Sequence, residues 1–198
     1  MGEMQGAFDS YFSKLIEYYR KESGSYPTIS YDEGVNKELI IGEPDKEGYV
    51  AWLPKKINTK FDFIPIEKKF KMCLNEEVKE YFTTYLFLRL SGVFEDMELD
   101  FDPISEFSEL GATIERQITD ARYYFTDETY LLIGSGSDGS DDSFNIFYDN
   151  RDSKLVCVST ETEKNKFINK HLSFVIQTMG VFEYTVYTLM RVPPNLKS

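Results

Sequence analysis

The sequence predicts an α+β domain, a mostly antiparallel central sheet flanked by helices, and three observations carry that reading. Apolar residues recur at three- and four-residue steps over residues 8–19 and 64–90 and again near 168–179. Between these stretches the period switches to two, most clearly over residues 97–101. The later strand candidates are joined by short polar connections, as in an antiparallel meander. Helices first, then strands, then a helix is an α+β order rather than the repeated alternation of a parallel α/β sheet. The 198 residues show no internal repeat and no linker, so one domain over 1–198 is expected, with a core of about 7–179 and a C-terminal extension at 180–198.

The elements follow in order. Phe8, Tyr11, Phe12, Leu15, Ile16 and Tyr19 share one helical face, and Ser23-Gly24-Ser25 ends it. Tyr26-Pro27 opens an extended segment. Residues 38–41 and 49–53 read as two short strands around the turn-forming stretch 42–48. Ile66, Phe70 and Cys73 fit one helix; Val78, Tyr81, Phe82, Tyr85 and Leu88 fit another. Asn75 is its N-cap, Glu76 and Glu77 complement its dipole, and Ser91-Gly92 closes the pair. Met97, Leu99 and Phe101 then alternate with Asp96, Glu98, Asp100 and Asp102. Asp102-Pro103 reads as an N-cap and first helical residue, with Ile104, Phe107, Ile114 and Ile118 continuing at helical spacing. Residues 130–133, 144–148 and 155–159 read as three strands, the first two around a Gly/Ser/Asp loop at 134–143. Thr160-Glu161-Thr162-Glu163 fits a capping box before a helix that buries Ile168, Leu172, Val175, Ile176 and Met179. An edge strand is expected at 181–187, and Pro193-Pro194 ends regular structure.

Charge is concentrated. Residues 93–150 hold 15 acidic side chains and two basic ones, Arg116 and Arg122, a balance of −13; the whole chain carries −12, so the other 140 residues balance at +1. Such a field repels phosphate and attracts a basic partner, which excludes a nucleic-acid binder. Aromatic residues make up 16% of the chain, so this is a folding sequence and not an acidic tail. Cys73 and Cys157 are too few for a disulfide framework and read as reduced thiols of a cytoplasmic protein. No apolar run is long enough to span a membrane. Residues 1–6 resemble neither a signal peptide nor a myristoylation signal.

Catalytic chemistry finds little support. His171 is the only histidine and reads as structural, within the last helix; with two distant cysteines it cannot build a His-rich zinc site or a recognisable nucleophile. Gly134-x-Gly136-x-x-Gly139 matches the dinucleotide fingerprint in form only, since no helix follows and Asp138, Asp141 and Asp142 would face the pyrophosphate. The same loop lacks the spacing and the terminal Glu of an EF-hand. No catalytic residue, metal or cofactor is therefore expected.

The row Asp96, Glu98, Asp100 and Asp102 has two readings. Alternate strand residues lie on one side about 7 Å apart. They form either the wet face of an antiparallel sheet, with Asp102 spent on capping, or a docking strip for Lys and Arg side chains. A glycosidase pair is a third use of carboxylates at such separations, but no aromatic sugar platform lies beside the row in sequence. The charge asymmetry favours docking, and the expected partner-binding residues are Glu95, Asp96, Glu98, Asp100, Asp102, Asp138, Asp141 and Asp142.

Between about Ala7 and Met179 the chain resembles the Syd family of SecY-interacting proteins, within the SUKH superfamily. The resemblance rests on Tyr26-Pro27, on Trp52-Leu53-Pro54, and on Ile66-Glu67-x-x-Phe70 followed by Leu74-Asn75-Glu76-Glu77-Val78-Lys79-Glu80-Tyr81-Phe82-Thr83-Thr84-Tyr85. Ser91-Gly92, Tyr130-Leu131-Leu132-Ile133-Gly134 and Phe144-Asn145-Ile146-Phe147-Tyr148-Asp149 continue it to Val156. It implies a non-enzymatic acidic protein that holds another protein on a concave face. The implied partner is the set of basic cytoplasmic loops of the SecY translocon, which would place the protein peripherally on the cytoplasmic side of the inner membrane. The alternative from the wider superfamily is an immunity protein that neutralises a polymorphic toxin, often a nuclease. The chain departs from Syd at Tyr26, in its 134–143 loop and in residues 180–198.

Overall fold

A computed structural model describes residues 2–126, 129–139, 143–162, 165–168 and 170–181. The chain opens with helix α1 (Glu3–Ser23), which buries Met4, Ala7, Phe8, Tyr11, Phe12, Leu15 and Tyr19 on one side. Gly24 ends it at φ 69°, a left-handed cap whose N–H donates to the Arg20 carbonyl. Strands β1 (Thr28–Ser30), β2 (Ile40–Ile41) and β3 (Tyr49–Trp52) form a small antiparallel sheet in the order β1-β3-β2. Strand β4 (Lys55–Lys56) and helices α2 (Ile64–Phe70) and α3 (Glu76–Thr84) follow. Asn75 caps α3 as expected, accepting from the Glu77 N–H at 2.8 Å.

The main sheet is antiparallel and includes β6 (Leu90–Phe94), β7 (Met97–Phe101), β8 (Tyr130–Ser137), β9 (Ser143–Asp149), β10 (Lys154–Ser159), β11 (Asn165–Ile168) and β12 (Gly180–Val181). Two-residue β5 (Tyr85–Leu86) pairs with β4 instead. Among the described residues the order is β11-β10-β9-β8-β7-β6-β12. Helix α4 (Leu110–Ala121) lies against β8, and α5 (Leu172–Thr178) against α1 and α3. The fold is α+β with an antiparallel sheet flanked by helices.

Alternation divides the sheet faces. Leu99, Phe101, Ile146, Tyr148, Leu155 and Cys157 point into the main core, where they meet the apolar sides of α1, α3 and α5. On the reverse face Phe147, Val156 and Val158 join Ala121, Phe125, Tyr130 and Leu132 in a smaller cluster. Farther along that reverse face the residues turn polar: Glu98, Asp100, Ser135, Ser137 and Asn145.

Several expected boundaries shift, each for a packing reason. The second helix stops at Thr84, because Tyr85 and Leu86 pair with Lys56 and Lys55. Ser91-Gly92 is no turn but the middle of β6; Gly92 is required there, since a Cβ would stand 2.2 Å from the Gly180 carbonyl oxygen. Asp102-Pro103 does not start a helix: the Asp102 N–H donates to the Ile133 carbonyl, Ile104 bridges Phe87, and α4 begins at Leu110. The 134–143 loop is much shorter than expected, because β8 runs on to Ser137 and β9 starts at Ser143. Gly134 and Gly136 serve packing, not looping, for a Cβ on either would meet β7 carbonyl oxygens at 2.4 and 2.2 Å. Ile168 lies in β11 opposite Leu155 and not in a helix. The expected capping box is a turn in which the Ser159 hydroxyl accepts from the N–H groups of Glu161 and Thr162; Glu163 is outside the described residues. Cys73 lies beyond α2, and residues 38–39 belong to a 3-10 turn. His171 is the N-cap residue of α5, exposed, with its ring 3.7 Å from Glu77. Of the expected edge strand at 181–187, Val181 pairs with β6, preceded there by Gly180, and 182–187 lie outside the described residues.

Candidate functional site

The polar half of the reverse face is concave. Strand β7 supplies Glu98 and Asp100, β8 supplies Ser135 and Ser137, and β9 supplies Ser143 and Asn145; Arg89 and Ser91 stand at the β6 side. Thr28, Ile29 and Ser30 of β1, with Tyr49, complete the lining, and Thr28 also borders a small pocket with Arg89 and Ser91. Together they enclose a groove of about 620 Å³.

Local sequence explains why these side chains gather. Glu98 and Asp100 face out because Met97, Leu99 and Phe101 take the buried positions of the same strand. Across the strand pair Glu98 stands opposite Ser137 and Asp100 opposite Ser135, while Asn145 continues the row on β9. Short hydroxyl side chains beside two carboxylates keep the floor open. Small glycines at 134 and 136 on the other side let β8 approach β7 closely.

The site is acidic but carries an internal cation. Arg89 lines the groove and donates from Nε to the Ser91 hydroxyl at 2.9 Å. Enclosure by the groove walls pushes the Asp100 carboxyl above the usual carboxylate range; the charge of Arg89 opposes this and that of Asp102 adds to it. Asp100 is solvent-accessible yet partly desolvated, as a side chain in a concavity can be. A cation entering the groove therefore meets two carboxylates about 7 Å apart, and the hydration of one of them, Asp100, is already incomplete. Hydroxyls and the Asn145 amide can satisfy main-chain or side-chain hydrogen bonds around it.

Of the eight residues expected to bind a partner, the structure brings two, Glu98 and Asp100, into the groove. Glu95 and Asp96 form the exposed turn between β6 and β7, with Glu95 at φ 53°, outside the groove lining. Asp102 neither caps a helix nor lines the groove; Gln117 donates to it at 3.3 Å and Arg116 lies 3.8 Å away. Asp138 is exposed just past β8 and also outside the lining. Asp141 and Asp142 lie outside the described residues. Sequence reasoning missed Arg89, Ser91, Thr28, Ser30, Ser135, Ser137 and Asn145. For Ser135 and Ser137 a signal existed: they alternate with Gly134 and Gly136 at period two.

Among the described residues no group of three or more His, Cys, Asp and Glu side chains is placed to hold a metal ion, and no helix is long and apolar enough to cross a membrane. A search of the curated proteins finds no match. The sequence does match, over residues 5–106, the protein family described as Syd protein (SUKH-2). That stretch includes α1 from Gln5 onward, the small sheet, β6 and β7, hence Arg89, Glu98, Asp100 and the β1 part of the groove lining. With half of its length matched, the chain belongs to the Syd (SUKH-2) family.

Proposed function

We propose that this protein is a non-enzymatic binding module that holds a basic segment of another protein in its acidic groove. In the Syd family setting that segment is a basic cytoplasmic loop of the SecY translocon, and the module sits at the cytoplasmic membrane face only by way of that partner. The observation that supports the reading is the exposure of Glu98 and Asp100 inside one concavity, on a strand that lies within the acidic stretch 93–150. Carboxylates in a groove steer a cationic partner and fix its register, and exposed pairs of this kind weaken as salt screens them over about 8–10 Å.

Co-purification with SecY from native membranes tests the proposal. Capture is expected from the wild-type protein and loss with Glu98→Lys/Asp100→Lys. Retention of the charge-reversed variant would mean that another surface binds. If a basic toxin is captured instead and co-expression rescues growth against it, the protein is an immunity protein that uses the same groove.

A further inference from the structure

The part of the groove lining that the small sheet supplies is a strand edge. In the β1–β3 pair the Trp52 N–H donates to the Pro27 carbonyl at 2.9 Å, and the Tyr31 N–H donates to the Gly48 carbonyl at 2.8 Å. These two bonds set the phase of an antiparallel ladder whose register is Thr28↔Ala51, Ile29↔Val50 and Ser30↔Tyr49. Hydrogen-bonded positions recur every second residue, so residues 27, 29 and 31 turn their main-chain groups toward β3. Thr28 and Ser30 therefore turn their N–H and C=O groups away from β3. Strand β1 is the last strand on that side of the small sheet, so no described strand receives them. Thr28 and Ser30 both line the groove.

We propose that the groove binds its partner by strand addition: an extended segment bearing Lys or Arg at alternate positions pairs with the free edge of β1 and directs those side chains to Glu98 and Asp100. This rests on the reading of the groove as an acidic docking site and supplies its geometry. Two facts meet here. An unpaired edge offers two N–H donors and two C=O acceptors to any extended main chain, which gives affinity without sequence preference. A strand paired there presents every second side chain to one side at about 7 Å, the same repeat at which β7 displays Glu98 and Asp100. Main-chain pairing thus supplies the hold and the carboxylates supply the choice of cationic side chains. Helical segments can use the second feature only.

The test uses a capped heptapeptide of alternating Thr and Lys, titrated by fluorescence anisotropy against the full chain at low salt. Ser30→Pro removes an outward N–H and leaves the bonds of Ile29 and Tyr31 to β3 intact, so the fold is preserved and its melting temperature checks this. Two further peptides carry N-methyl groups on either the Lys or the Thr positions. Expected is a loss of about tenfold or more for Ser30→Pro and for one methylated peptide but not the other, because only one set of N–H groups faces β1. Equal binding by both methylated peptides and by Ser30→Pro, with loss on Glu98→Gln/Asp100→Asn, would overturn strand addition and leave the acidic groove standing. Loss on methylation with no effect of the carboxylate variant would overturn the acidic reading. No binding of the heptapeptide, or self-association through β1 that Ser30→Pro abolishes, would overturn the inference.

Discussion

The Tyr11 hydroxyl serves both main-chain groups of Ser91: it donates to the Ser91 carbonyl at 2.6 Å and lies 3.2 Å from the Ser91 N–H, which donates to it. A buried side chain of α1 thus closes the hydrogen-bond account of a β6 residue at the rim of the groove. Burial pushes the Tyr11 hydroxyl far above the ordinary tyrosine range, so it stays protonated and keeps its donor role. Tyr11→Phe leaves a carbonyl and an N–H without this partner. We expect a loss of about 1–3 kcal/mol, measured as a lower urea midpoint with an unchanged slope. A loss well under 1 kcal/mol would mean that water replaces the hydroxyl.

Binding should separate the carboxylates by position. Glu98→Gln and Asp100→Asn remove charges inside the groove and should slow association with a basic partner, each by several-fold at low salt, with the difference fading at high salt. Asp96→Asn, at the hairpin tip, and Asp102→Asn, occupied with Gln117 and Arg116, should change association much less. Stopped-flow association rates at two ionic strengths check the order.

The same Asp100 carries a stability consequence. Its carboxyl is raised in the folded state, first by desolvation, so folding favours its protonated form. Its contribution is fully present below the unfolded value near 4 and is lost as pH rises through the higher folded value. At neutral pH, then, Asp100 costs stability. Asp100→Asn should melt higher than wild type at pH 7 while binding a basic partner more weakly, and the gain should vanish at pH 3. Thermal melts at the two pH values decide it; a variant less stable than wild type at pH 7 would refute the sign.

How far the sequence reveals this arrangement depends on what enforces each feature. Strand β7 was legible because its buried Met97, Leu99 and Phe101 alternate with charges, a pattern only a half-covered strand satisfies. It put Glu98 and Asp100 on one side correctly. It did not show that Asp102 leaves the row, because that follows from the tertiary bond between the Asp102 N–H and Ile133. Strand β6 and the end of β8 were hidden by glycines. Composition marks Ser91-Gly92 and residues 134–137 as turns, whereas Gly92, Gly134 and Gly136 are there because neighbouring backbones leave no space for a Cβ. Of the β1 wall only the extended backbone after Tyr26-Pro27 was legible, not its place in the groove. Thr28 and Ser30 acquire a role only when the small sheet folds over the large one. Helical faces were legible throughout α1, but helix ends were not: Tyr85 and Leu86 keep helical spacing with Phe82 while pairing as a strand.

Those glycines make a direct prediction. At Gly136 a Cβ would meet the Glu98 carbonyl oxygen at 2.2 Å and the Phe144 ring at 2.6 Å; the ring can shift, the backbone oxygen can do so only by opening the β7–β8 pair. Gly136→Ala should therefore cost at least the 1–3 kcal/mol typical of overpacking. Gly6 has nothing within 4 Å of such a Cβ and lies inside α1, so Gly6→Ala should stabilise by about 0.5–1 kcal/mol through helix propensity. Denaturation midpoints of the two variants should move in opposite directions.

The link between α1 and the β4–β5 pair should show itself in acid. Asp9 accepts the Tyr85 hydroxyl at 2.5 Å and the Lys56 ammonium at 3.0 Å. Partial burial raises its carboxyl, hydrogen bonds from Tyr85 and Lys56 lower it, and the lowering prevails. A carboxylate whose folded value is depressed stabilises the fold above its unfolded value near 4, and this is lost as pH falls through the lower folded value. Asp9→Asn should thus be less stable than wild type at neutral pH, with the gap closing as the buffer is taken well below pH 4. Salt distinguishes the two partners: the Lys56 share is screened, while the Tyr85 bond persists. Tyr85→Phe should consequently lose a part of the stability that 1 M salt does not remove from wild type, and Lys56→Met a part that it does. Urea midpoints of the three variants at pH 7 and in acid, with and without salt, would show this pattern; a gap at Asp9 that persists unchanged in acid would mean that the amide, not the lost charge, is responsible.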